Sequence, residues 1–299
     1  MIKKYKNKAI FKERVVEKLL ALSAYISVLT TVLIIYILST ESYNFFQIVS
    51  VSEFLFGTRW EPLLDPKAFG VLPLLFGTLM IVVGSALICI PVGLIIAIYL
   101  SQYASKKTRR IIKPILEILA GIPTVVYGYF ALTFITPIFR YILPETEIFN
   151  AASASVVVGI MILPMVASLC DDALCAVPKS IKQGGYALGT TSFEVIRGIL
   201  VPSAFSGIVS SFVLAISRAF GETMAVTLAA GATPRFTLNP MESIQTMTAY
   251  IVQVSLGDTP AGGIEYQTIF AVAGLLFIVT LFMNLLSNYI MQKYREVYE

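Results

Sequence analysis

Apolar residues run in long blocks along this chain, with polar residues gathered between them. Residues 19–38, 71–100, 114–135, 151–169, 207–231 and 268–290 each read as a membrane-crossing helix, which takes about 20 predominantly apolar residues. The pattern predicts an all-α, polytopic membrane protein with six transmembrane helices. A basic segment, 1–18, precedes a transmembrane domain, 19–290, which contains a cytoplasmic loop, 171–206, and a tail, 291–299, follows. The first block is longer than the apolar region of a signal peptide and no small-x-small cleavage site follows it, so it is expected to be retained.

Three blocks carry interruptions. The second holds Pro73, Pro91 and Gly93, which predict tilt or a kink. In the third, Pro123 removes a helix hydrogen bond between Gly121 and Gly128. An ordinary kink and a broken helix lining a cavity are equally good readings there. The fifth carries Arg218 and Glu222 near its middle, where a charge costs about 2.5–3.5 kcal/mol on insertion scales. On a continuous helix, Gly207, Ser211, Ala215, Arg218, Glu222, Ala225 and Ala229 share one narrow face, opposite Val209, Phe212, Val213, Ile216 and Phe220. Small residues admit a neighbouring helix or leave room for a solute. The pair either neutralises itself in a helix interface or marks a pathway; Arg218, Glu222, Ser211 and Thr223 are the predicted pathway residues.

Composition agrees with the blocks: 57% of the 299 residues are hydrophobic and 13% charged. The net charge of +4 does not indicate a nucleic-acid partner. With no histidine, the chain has no His-based acid–base chemistry or metal ligation, and no catalytic or metal-binding set is predicted. Cys89, Cys170 and Cys175 form no CxxC and read as unpaired. Lys and Arg set the orientation. The two ends and the loops after the second and fourth blocks hold 17 of them, and the remaining loops hold 4. Both termini are therefore expected in the cytoplasm.

No G-x-x-x-x-G-K-[ST] motif occurs, so no ATP is expected on this chain and no enzymatic activity of its own. The cytoplasmic loop has other content over residues 182–202. Gly189 suits a helix C-terminus, and Thr191 with Glu194 forms a capping-box pattern that should start a second short helix, with Pro202 past its end. Helix, glycine turn and helix make a shape suited to docking into another protein.

That loop resembles the EAA loop of prokaryotic ABC importer permeases. Gly189, Ile199 and Pro202 stand at the right spacing, and Gln183, Gly184 and Gly185 occupy the EAA positions, without the usual Glu. Residues 218–226, RAFGETMAV, are similar to the RAxGETMAV signature of PstC-type permeases of phosphate-specific ABC transporters. Residues 121–128, GIPTVVYG, and 54–62, FLFGTRWEP, resemble two further motifs of those permeases. The resemblance implies a subunit of the prokaryotic cytoplasmic (inner) membrane, in contact with lipid, that forms half of an inorganic phosphate pathway. The implied partners are a PstA-type second permease, two ATP-binding subunits that carry the ATP, and an extracytoplasmic phosphate-binding protein received by the external loops. Gln183, Gly184, Gly185, Gly189, Glu194, Ile199 and Pro202 would couple to the ATPase. Arg218 would meet the anion, while Glu222 would hold Arg218 in the empty state or accept a hydrogen bond from a protonated phosphate; the first role is preferred. The alternatives are a permease for sulfate or molybdate, an ion-coupled secondary anion transporter, and a structural or signalling subunit.

Overall fold

The computed structural model of the chain describes residues 2–257, 259–260 and 262–293, and of residues 2–12 and 291 the backbone alone. The expected tail lies outside the described residues beyond Lys293, as do the side chains of the basic segment before Glu13. Helix α1 (Ile2–Phe46) continues past the first apolar block. Its large apolar side chains from Val15 to Ile37 are exposed, and it meets the body at its outer end, where Ser42 Oγ donates to the Phe270 carbonyl at 3.0 Å.

The segment between the first two apolar blocks, 39–70, polar and aromatic in sequence, is an ordered cap. It contains α2 (Val51–Phe56) and a two-stranded antiparallel ladder of β1 (Trp60–Glu61) with β2 (Ala68–Phe69). Phe45, Phe54, Trp60 and Phe69 are all buried, in one cluster with Leu74, Tyr250 and Val272. Burying these rings accounts for the cap, since large aromatic side chains contribute most where they leave water. The aromatic residues of the FLFGTRWEP motif thus fold this end of the protein, with Trp60 edge-on to Tyr250 at 4.9 Å.

Helix α3 (Leu72–Ile98) runs inward and ends in a wider π-type turn over Tyr99–Tyr103. The basic loop expected next is instead the start of α4 (Lys106–Gly121), capped by Ser105. Ile122 and Pro123 separate it from α5 (Thr124–Phe130), which continues through a π-type turn at Ala131–Ile135 into α6 (Thr136–Ile142). Helix α7 (Ala151–Ala176) extends two turns past the expected end of the fourth block, and with α3 it builds the central core around Ile81, Val158 and Ile162. The cytoplasmic segment holds α8 (Lys179–Ala187), α9 (Ser192–Val195), a π-type turn, and α10 (Val201–Ser203).

The fifth block is not one helix. It comprises α11 (Phe205–Phe220) and α12 (Met224–Ala230), with a break between them. The segment expected as an external loop folds back into the body: residues 243–250 are buried and lead into α13 (Met247–Leu256). Helix α14 (Ile264–Lys293) completes the chain. Among the described residues, five helices are long and apolar enough to cross a membrane. They become six when the pair Ser192–Ser203 and Phe205–Phe220, bent by 71°, counts as one span.

Candidate functional site

Contacts along α7 set the depth of the two interrupted spans. Near its outer end, Thr136 Oγ1 donates to Ser153 Oγ (2.9 Å) and Asn150 N–H donates to the Ala229 carbonyl (3.0 Å). Near its cytoplasmic end, Lys113 Nζ lies 2.8 Å from Asp171, and Ser211 Oγ lies 2.8 Å from Cys170 Sγ. Gly121–Pro123 falls about halfway between Lys113 and Thr136, and Gly221–Thr223 about halfway between Ser211 and Ala229. Both breaks therefore sit near mid-depth. A direct contact agrees: a Cβ on Gly128 would come within 2.8 Å of Leu228 Cβ and 3.1 Å of Ala225 Cα. Gly128 is thus a point of close approach between α5 and α12, not a break, while Gly121 is exposed and Pro123 stands at the start of α5. Both helices run outward from the breaks, so their N-termini, the positive ends of their dipoles, face mid-depth.

Threonine hydroxyls supply donors around the second break, where a buried carbonyl that loses its helix bond needs another partner. Thr223 Oγ1 donates to the Gly221 carbonyl (3.2 Å), Thr248 Oγ1 to that of Glu222 (2.8 Å), and Thr227 Oγ1 to that of Thr223 (2.7 Å). Glu222 is buried, and its Oε1 accepts from the Ala225 N–H at 3.2 Å. It therefore caps α12, a role the sequence reading did not foresee. An acidic group at a helix N-terminus also complements the dipole.

Arg218 is exposed in the isolated chain. Among the described residues, its guanidinium makes no ion pair, with Glu222 or any other carboxylate. The expected hold of Glu222 on Arg218 is therefore not made in this structure. An arginine at mid-depth is costly against lipid, so the surface that bears Arg218 belongs against protein or a polar passage. Of the two uses left open for the small-residue face, its inner part has the first, admission of a neighbouring helix: Ser211 and Ala215 are buried, and Gly207 packs against Ala173 of α7. Ser211 is buried against α7, two turns inward of Arg218 on the same side of α11, while half-buried Thr223 remains at the break.

The cytoplasmic hairpin has the expected local build. Gly189 ends α8 with φ +78°, Thr191 and Glu194 complete both bonds of the capping box, and Gly185 lets α9 and the π-type turn after it approach: a Cβ there would come within 3.1 Å of Val195 Cγ2 and 2.6 Å of Ile199 Cδ1. Two donors on Thr191, its backbone N–H first and then its hydroxyl, hold the Glu194 carboxyl below its usual range. Pro202 lies inside the continued helix, and the chain bends at Ala204. Gln183 and Gly184 are exposed, with no atom close to Gly184. Tyr186, Leu188 and Phe193 add exposed apolar surface, Leu188 at 84%. On the outer side, Glu147 joins two loops, accepting from Ser243 N–H (2.9 Å) and pairing with Arg235 (2.7 Å). These two contacts, the N–H first, hold its carboxyl below the usual range.

Residues 89–296 match the family described as binding-protein-dependent transport system inner membrane component. Over 242 residues the chain is 34% identical to a probable ABC transporter permease protein, YqgH, of Bacillus subtilis, covering 81% of this chain and 78% of that one. Over 266 residues it is 32% identical to the phosphate transport system permease protein PstC of Haemophilus influenzae, covering 81% and 82%. Its fold is similar to that in an inward-facing structure of the MetNI methionine ABC transporter. The TM-score there is 0.55 at 19% identity, over 76% of this chain and 95% of that one.

Proposed function

This chain belongs to the binding-protein-dependent transport system inner membrane component family; it is an ABC importer permease subunit of the cytoplasmic membrane, and we propose that its cargo is inorganic phosphate. The observation that carries this reading is Arg218, exposed near mid-depth one turn before the break at Gly221–Thr223, without an ion-pair partner among the described residues. A guanidinium offers an oxyanion charge-assisted, bidentate hydrogen bonds. The N-terminus of α5, which runs on through the π-type turn into α6, also favours negative charge, whereas that of α12 is taken by Glu222. Relatives named for phosphate transport support phosphate over other oxyanions.

The exposed faces of α1 and of Arg218 suit a second permease, of the PstA type, which would complete the pathway. Exposed Tyr186, Leu188 and Phe193 suit a docking cleft on an ATP-binding subunit, two of which would supply ATP hydrolysis. An external phosphate-binding protein would deliver the anion to the outer loops. Driven by ATP, the hairpin at 182–202 would shift and reorient the broken spans. Reconstitution of the whole complex tests this: labelled phosphate should accumulate only with ATP, undiminished by excess sulfate or molybdate. Equal competition by either anion would favour another oxyanion as cargo. Uptake by the permeases alone under an ion gradient would favour secondary transport.

A further inference from the structure

The sequence placed Asp171 at the start of a loop, but it is fully buried within α7, at 0% exposure. Two cations from α4 reach it: Arg109 Nη2 at 2.6 Å and Lys113 Nζ at 2.8 Å, each about one-third exposed. The Cys175 thiol donates to the other oxygen of Asp171 at 3.6 Å, and both terminal nitrogens of Arg109 point to its sulfur. A buried carboxylate is tolerable only when paired and hydrogen-bonded in this way. Such a centre fixes geometry more than it adds stability.

Its place in the chain gives that geometry a use. The cytoplasmic hairpin leaves α7 at Val177, two turns of helix or less beyond Asp171. Helix α4 leads directly to the break at Gly121–Pro123, and from there to α5, which packs on α12 through Gly128. A second tie, Lys182 Nζ to Gln102 Oε1 at 2.5 Å, joins α8 to the end of α3. Leu100, Leu116 and Ala167 pack beneath, closing α3, α4 and α7 together.

We propose that Asp171 is a positioning residue for transport: by holding Arg109 and Lys113 it makes α4 follow the end of α7 that carries the docking hairpin. Movement imposed on the hairpin by the ATPase then reaches the broken third span and, through the α5–α12 contact, the Arg218 surface. This rests on the reading that the chain couples to a separate ATPase, and is independent of which anion is carried.

The test is substrate transported per ATP hydrolysed, measured on the assembled complex in proteoliposomes with the binding protein enclosed or added. Asp171→Asn should lower that ratio at least about fivefold, the lower end of common coupling strengths, with ATP hydrolysis retained. Arg109→Gln should lower it in the same sense and Arg109→Lys should preserve it. Adding Asp171→Asn to Arg109→Gln with Lys113→Gln should bring no further loss, the signature of residues acting as one unit. An unchanged ratio in both Asp171→Asn and Arg109→Gln would overturn the proposal, as would a proportional loss of hydrolysis and transport. If Asp171→Asn does not accumulate in the membrane, Arg109→Gln against Arg109→Lys decides by the same ratio. A wild-type complex without ATP-driven transport would count against the functional reading itself, not against the clasp.

Discussion

The turn at Gly189 and the break at Gly221–Thr223 both interrupt helices, by different means. At Gly189 everything needed is within a few residues: a glycine at positive φ, then a threonine and a glutamate that satisfy each other's backbone donors. At Gly221–Thr223 the Glu222 carbonyl depends on Thr248, 26 residues away, and the second half-helix depends on close approach to Gly128. A water-facing turn can rely on local chemistry, because solvent satisfies whatever remains. A break inside a membrane must find every partner in the protein. The second kind is therefore costlier to build, and more informative about function.

Substitutions sharpen the contrast. The largest effect is expected at Gly128. Gly128→Leu drives a side chain into the backbone of α12, an overpacking cost of about 1–3 kcal/mol, seen as a lowered Tm of the purified complex. An unchanged Tm would mean that α5 and α12 are not held together there. Glu222→Ala removes the cap on α12 and should cost about 0.5–2 kcal/mol, whereas Glu222→Gln keeps a carbonyl acceptor and should cost less. Equal losses from the two variants would show that charge, not capping, is what the site requires. Gly189→Ala places a Cβ at positive φ and should cost about 1 kcal/mol, confined to the hairpin and visible as faster amide exchange over residues 179–203. Spread of that exchange into α11 would contradict a locally built turn. The smallest effect is that of pH on the capping box. The folded Glu194 carboxyl lies below its ordinary value of 4.5, so its contribution is complete above that value and is lost as pH falls through the folded one. Hairpin exchange should be flat from neutral pH to about 5, after correction for intrinsic rates, and rise only in more acid solution.

Local signals explain what could be read from the sequence. The apolar blocks, Gly189, the Thr191–Glu194 pair and the interruption at Pro123 each carry their cause in adjacent residues. The break after Arg218 does not. No proline marks it, and a run from Gly207 to Gly231 looks continuous until Thr248 is brought beside it. Ser211 and Arg218 do share a face of α11, but α7 covers that face at Ser211, which is buried against Cys170, and that covering helix could not be read from the segment itself. A signal was available in the external segment: Ser243 to Thr248 contains hydroxyls and an amide but no charge, unusual for a water-facing loop, and these residues are the buried ones. Asp171 could not be identified without α4, because its two cations come from a segment that reads as a basic loop.

The central claim is that Glu222 is occupied as a cap and leaves Arg218 open to the transported anion. Its most direct test is ATP-driven uptake of labelled phosphate by the reconstituted complex carrying Arg218→Gln. The expected result is a loss of uptake of at least about tenfold, the equivalent of one charge-assisted hydrogen bond or more, with unchanged complex assembly. Uptake at the wild-type rate would contradict it.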